Sequence, residues 1–209
     1  MKKFSVQDIV NLVRIKYDEI GLNESEMIKD SDDSDIDTVI KSCIGDAYRI
    51  AVNAADTSML EGKQLEGAEL EIDGSLVGHV MLPEDFLRGV TARLDSWQSA
   101  SSLIINEDTT EYRMQSDPYA CGTYQHPVIA LVHTANGREL EFYKARSKED
   151  KLKSFVYMPT WNSSSESVDI PDQIAEAFIY YIAALTATTF REDVANDFFK
   201  VAKGLLGIE

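Results

Sequence analysis

The sequence predicts an α+β fold in which helices from both chain ends form a bundle that carries an inserted antiparallel β module. Three observations predict it. Apolar residues recur at helical spacing near both termini, and the period switches to two in the middle, beside the turn pairs Asp73-Gly74 and Asn136-Gly137. Two prolines, Pro83 and Pro171, each join an aliphatic extended segment to acids and more apolar residues. Such a join is the pattern of a strand-to-helix corner. Proline fits the first helical position, whose N–H has no partner, and acids behind it face the positive end of the helix dipole. The expected divisions are 1–66 for the N-terminal helices and an acidic linker, 67–170 for the β module, and 171–209 for the C-terminal helices.

Ser5 with Asp8 three residues on has the form of a capping box. Val6, Ile9, Val10, Val13, Tyr17 and Ile20 then trace a helical stripe that ends at Gly21. The segment from Glu24 to Asp37 carries seven acids against one lysine and reads as a solvated linker. A second helix is expected from about Ile36 to Ala55. Its buried stripe would be Ile36, Val39, Ile40, Cys43, Ala47, Ile50, Ala51 and Ala54.

Residues 56–67 read as a loop. Glu69-Leu70-Glu71-Ile72 alternates into the Asp73-Gly74 turn, and Leu76 to Leu82 is apolar again. Val90 to Leu94 fits helix or strand equally. A polar stretch covers 106–125. Val128 to His133 is expected to pair with Glu139 to Tyr143 across Ala135-Asn136-Gly137, and Ser154 to Pro159 adds a further strand. The helix opening at Pro171 is apolar nearly all round and should be central and buried. A last helix opens at Thr189 and Glu192, with Val194, Phe198, Val201 and Leu205 along one side.

A hydrophobic content of 44% with 27% charged residues suits a chain that buries a real core. The N-terminus lacks an apolar signal core, and Ala177 to Phe190 falls short of the roughly 20 residues a spanning helix needs. No membrane association is expected. Cys43 and Cys121 are the only cysteines, so a reducing compartment is the default expectation. The net charge of −16, with no basic stripe, disfavours binding to nucleic-acid backbones. It suits a surface that repels passing nucleic acid or attracts a basic partner.

The chemistry-bearing residues are sparse. His79, His126 and His133 are the only histidines, and Cys121 lies five residues before His126. Cys121, His126 and His133 match no structural zinc spacing, and no third partner marks a thiol nucleophile. The acids are too abundant for one pair to stand out, and no phosphate loop, dinucleotide fingerprint, nucleophile elbow or H-E-x-x-H motif is present. No catalytic residue, cofactor or metal ligand is therefore assigned, and an enzyme is not expected. The better candidate is a docking surface near the C-terminus, where Phe198, Phe199, Leu205, Leu206 and Ile208 crowd together.

Several segments in order carry a family resemblance. They are Leu82-Pro83-Glu84-Asp85-Phe86-Leu87-Arg88 with Trp97 beyond, Glu111-Tyr112-Arg113-Met114-Gln115-Ser116, and His126-Pro127-Val128-Ile129-Ala130-Leu131-Val132. Val168-Asp169-Ile170-Pro171-Asp172 and the Phe178-to-Leu185 helix complete the set. Over roughly residues 36–200 the chain resembles the head–tail adaptor (connector ring) proteins of short-tailed bacteriophages, including the ring proteins of crAss-like phages of gut Bacteroidales.

The resemblance implies a virion protein made in the bacterial host cytoplasm and built into the head–tail junction. It implies a closed homo-oligomeric ring, commonly of about twelve copies, beneath the portal protein. Such a ring extends the DNA channel, lets DNA pass during ejection without specific binding, and seats the next ring or tail component. On this reading Glu24, Glu26, Asp30, Asp32 and Asp33 face the channel. The C-terminal apolar residues dock on a neighbour, and the loops at 56–67 and 106–125 order between subunits. A second reading, from another class, is an acidic soluble protein that binds a basic host or phage factor as an inhibitor or nucleic-acid mimic.

Overall fold

The computed structural model describes residues 1–19, 33–117, 119–190 and 192–208. In chain order the elements are β1 (Lys2–Ser5), α1 (Val6–Glu19), α2 (Asp33–Ala54), β2 (Lys63–Gln64), β3 (Glu71–Ile72), β4 (Gly78–Met81) and β5 (Phe86–Leu94). There follow β6 (Ile104–Asn106), α3 (Thr110–Met114), β7 (Ile129–Thr134), β8 (Gly137–Phe142), β9 (Leu152–Pro159), β10 (Ser167–Ile170), α4 (Ala175–Phe190) and α5 (Glu192–Leu205). The fold is α+β, as expected. It divides into a helical unit, Met1–Glu61 with Thr160–Glu209, and a β unit, Gly62–Pro159. The crossings fall earlier than the patterning suggests at both ends, for reasons of pairing. β2 pairs with β9, while β10 pairs with the N-terminal β1.

In the helical unit the capping box forms: Asp8 N donates to Ser5 Oγ at 3.0 Å and Ser5 N to Asp8 Oδ2 at 3.2 Å. Ile9, Val10, Val13 and Tyr17 bury one face of α1. In α2 the buried stripe is Ile36, Ile40, Ile44, Ala47, Tyr48, Ala51 and Val52, continued by Ala55 just past its end. Ile50, expected on that stripe, is exposed because its position is a half-turn away from Tyr48 and Val52. Arg14 reaches from α1 to Asp37 on α2, with both Nε and Nη2 donating to Oδ1 at 3.1 and 2.9 Å.

The second proline corner is a strand-to-helix joint. Ile170 closes β10, Pro171 caps a 3₁₀ turn over Asp172–Ile174, and α4 follows. Phe178, Ile182, Ala183, Ala184 and Ala187 of α4 are wholly buried, and the helix packs on α1, α2 and α5. Thr189 lies inside α4 and not at the start of α5 as the capping pattern suggested. At the other end of α5, Gly207 takes φ +70°. Its N–H donates to the Gly204 oxygen, and Ile208 N–H donates to the Lys203 oxygen, which is a Schellman ending.

The β unit holds two sheets around one core. The three-stranded sheet runs β2-β9-β5 and the five-stranded sheet β3-β4-β8-β7-β6. All pairs are antiparallel except β6 with β7. Trp97, Phe142, Phe86, Phe155 and Tyr157 meet between them, and Trp97 Nε1 donates to the Lys144 oxygen at 3.2 Å. The β7–β8 hairpin forms as expected, with Thr134 paired to Gly137 across a two-residue loop. At Asp73-Gly74 the loop is longer, with Ile72 paired to Gly78 and the positive φ carried by Leu76.

The first proline corner is corrected. Pro83 begins a turn, closed by Phe86 N–H to the Pro83 oxygen at 3.1 Å, and the chain continues as the strand β5. Phe86, Val90, Ala92 and Leu94 face inward at even spacing, so period-two burial sets the element rather than the proline. The expected loops at 56–67 and 106–125 also carry structure of their own. They contain a 3₁₀ turn (Thr57–Met59), β2 and α3, the last capped by Thr109. Among the described residues no helix is long and apolar enough to cross a membrane.

Candidate binding surfaces

The C-terminal cluster expected as one surface is split by the helix that carries it. Ala195, Phe198 and Ala202 on one face of α5, and Leu206 just past its end, are buried. Phe198 meets the rings of Tyr17 and Tyr180 at 5.5 and 6.1 Å between centroids. Phe198 and Leu206 are therefore core residues, a correction to their assignment as interface. Phe199 is half-buried against Tyr181, at 6.1 Å, and Ile208 is half-buried. Leu205 is exposed, together with Val201 one turn before it. The stripe the sequence suggested through Val201 and Leu205 is thus the solvent side. Of the acids expected to face a channel, Glu24, Glu26, Asp30 and Asp32 lie outside the described residues, and Asp33 opens α2.

Cys121 and His126 line one open cavity of about 470 Å³ with Ser99, Leu103 and Val128. His133 is not part of it. Its ring Nδ1 is 3.0 Å from Glu107 Oε1, an acid that follows β6, and its backbone N–H reaches the same carboxylate. The three residues weighed as a zinc or thiol site are thus not gathered in one place. Cys43 and Cys121 are not joined in a disulfide.

Two clusters of polar side chains that the sequence did not reveal stand in the β unit. In the first, Asp85 accepts from Lys63 Nζ at 2.6 Å and from the buried Tyr157 hydroxyl at 2.9 Å. Burial pushes the Asp85 carboxyl up, but these two hydrogen bonds outweigh it and hold the group below its ordinary range. The same contact raises Lys63. So the acid behind Pro83 ties β2 to β9 and meets no helix dipole.

The second cluster lies on the face of the five-stranded sheet opposite its core. His79 on β4 stands directly across from Glu141 on β8, with Glu139 two residues along the same face. One ligand atom from each of the three lies within 4.8 Å of the others, and His79 Nδ1 is 3.3 Å from Glu139 Oε1. Beside them the Tyr143 hydroxyl donates to Glu141 Oε2 at 2.6 Å. Burial, and then Glu141, push the Tyr143 phenol far up, so it stays a proton donor. Tyr112 from α3 packs edge-on against Tyr143, closing a small apolar patch with Ile105, Ala130 and Val132. The alternation Glu139-Leu140-Glu141 was the available signal for this cluster. Linking it to His79 requires knowing that β4 and β8 pair.

Among the described residues His79, Glu139 and Glu141 are the one set of histidine, cysteine and acid side chains that converges in this way. No protein-family model matches this chain, and no curated protein matches it.

Proposed function

We propose that this chain is a structural virion protein, the head–tail adaptor ring of a short-tailed bacteriophage, attached beneath the portal. In this reading identical copies form a ring of about twelve through heterologous contacts that close by rotation. The ring extends the DNA channel and joins the capsid to the next ring or tail component at the head–tail junction. The helices α1, α2, α4 and α5 act as a bundle that carries the β unit.

The reading rests on the ordered set of segments that carry the resemblance, from Leu82-Pro83 through Trp97 and His126-Pro127 to Ile170-Pro171. They lie along a chain whose two ends build one helical unit, with the β unit inserted between them in sequence. The charge supports it. With a net −16, phosphates sliding past gain no counterion-release energy, which suits a channel that must not hold DNA. The acids from Glu24 to Asp33 are the proposed channel-facing set. The exposed Val201 and Leu205 on α5 offer an apolar contact for the portal or an adjacent ring. No catalytic role is part of this reading.

The test is assembly. Purified chain mixed with the portal protein of the same phage is expected to give a ring-sized complex by light scattering and electron microscopy. A free adaptor can remain monomeric, so the portal must be present. A chain that stays monomeric with portal, and forms a one-to-one complex with a basic protein, overturns the reading in favour of the acidic inhibitor.

A further inference from the structure

We propose that His79, Glu139 and Glu141 form a binding site for one divalent transition-metal ion on the outer face of the five-stranded sheet. Three protein ligands of this kind, one imidazole nitrogen and two carboxylate oxygens, leave further positions for water. The strands supply the geometry. His79 and Glu141 are a cross-strand pair and Glu139 follows at the two-residue repeat, so all three side chains leave one rigid face. Around a tetrahedral ion with ligands at about 2.1 Å, donor atoms stand about 3.4 Å apart. The 3.3 Å between His79 Nδ1 and Glu139 Oε1 already has that spacing.

The surroundings orient each ligand as a metal site requires. His79 Nδ1 faces the carboxylates, while Nε2 points to Asp73 Oδ2 at 3.9 Å. That carboxylate lies beyond hydrogen-bond distance here and is placed to accept from Nε2 once an ion takes Nδ1. Asp73 is itself held, because its Oδ1 accepts the N–H groups of Ser75 and Val77 at 2.8 and 2.9 Å. On the other side the Tyr143 hydroxyl donates to Glu141 Oε2 and helps to hold that carboxylate in place. The histidine contact accounts for Glu139, while Glu141 meets phenol hydroxyls, which bring no positive charge. Among the described residues no lysine or arginine pairs with Glu139 or Glu141, and two carboxylates at this spacing repel unless a cation lies between them. The imidazole favours Zn2+ and its neighbours in the first transition row over Mg2+ or Ca2+.

The experiment uses the full chain carrying Cys43→Ser and Cys121→Ser, stripped with a chelator and titrated with Zn2+ by calorimetry. The expected result is one saturable equivalent. His79→Ala should weaken it by at least about 100-fold, and Asp73→Asn, which keeps the loop-holding oxygen, by about 10–100-fold with an unchanged circular dichroism spectrum. Glu141→Gln should weaken it as His79→Ala does, and Mg2+ should not compete. No saturable Zn2+ site, or a site that His79→Ala and Glu141→Gln leave untouched, overturns the proposal. It stands apart from the adaptor reading, since failure of ring assembly would leave the metal titration unchanged.

Discussion

The Tyr17 hydroxyl on α1 donates to the backbone oxygen of Ala183 on α4 at 2.8 Å, across 166 positions of sequence. Its ring also packs edge-on against Phe198 of α5. One side chain therefore touches three helices drawn from both ends of the chain. Removing only the hydroxyl, in Tyr17→Phe, leaves the packing and deletes one buried hydrogen bond, at a cost of about 1 kcal/mol. Tyr17→Ala removes the ring as well and should cost about 3–5 kcal/mol. Urea unfolding of the two variants separates the terms, and a Tyr17→Phe chain as stable as the parent would show that the hydrogen bond contributes nothing of its own.

Burial of tyrosines in the helical unit makes stability fall on the alkaline side. Burial pushes the Tyr48 phenol up to about 12 and raises Tyr17 further. A group whose folded value is raised keeps its proton in the folded state after the unfolded chain has lost it. Its contribution is complete below about pH 10 and is lost as pH rises through the folded value. The slope is about 1.4 kcal/mol per pH unit for each such tyrosine. Tyr48→Phe should flatten the decline between pH 10 and about 12 relative to the parent chain, which cancels the titration of lysines. Parallel curves for the two proteins would rule this account out.

In the β unit the tightest backbone approach is at Gly62. A Cβ there would overlap the backbone carbonyl of Tyr157 on β9 and lie 3.0 Å from Val156 Cγ1. Backbone cannot move aside as a flexible side-chain end does. Gly62→Ala should therefore destabilise the β unit by about 1–3 kcal/mol through strain on the β2–β9 pair. Lys63 on β2 and Tyr157 on β9 both hold Asp85, so Gly62→Ala should also weaken the Lys63–Asp85 contact. A melting temperature equal to that of the parent would mean that the strand shifts freely.

What could be read from the sequence was local. The Ser5–Asp8 box, the Ile170-Pro171 corner, the β7–β8 hairpin and the nearly all-round apolar α4 each depend on residues a few positions apart, where capping, turn and periodicity rules act directly. What could not be read depends on distant partners. β1 is a four-residue strand with two lysines, and nothing in it marks pairing with β10 at the far end of the chain. The turn at Pro83 leads into a strand because Phe86, Val90, Ala92 and Leu94 find a β core, a tertiary fact that the proline alone does not reveal. The His79 cluster joins residues 60 positions apart and exists only through the β4–β8 register. In α5 apolar residues lie on both sides, so composition could not choose the buried face. Tyr17, Tyr180 and Tyr181 choose it by packing against Phe198 and Phe199.

That choice makes α5 a clean test of docking. Val201 and Leu205 are 44% and 38% exposed, while Phe198 on the same helix is 3% exposed. Val201→Asp with Leu205→Asp places two charges on the solvent side, where substitutions shift stability by no more than about 0.5 kcal/mol. If this side docks on the portal, the double variant keeps its melting temperature and loses co-assembly, since a charge buried without a partner in an interface is strongly disfavoured. Phe198→Ala should do the reverse at the level of folding, costing about 3–5 kcal/mol because it empties a site between Tyr17 and Tyr180. Truncation after Lys203 confuses the two effects. It removes the exposed Leu205 together with the buried Leu206 and the Ile208–Lys203 closing bond. Intact co-assembly by the double aspartate variant would exclude this face of α5 as the docking site, and would leave the adaptor reading to be judged by ring formation itself.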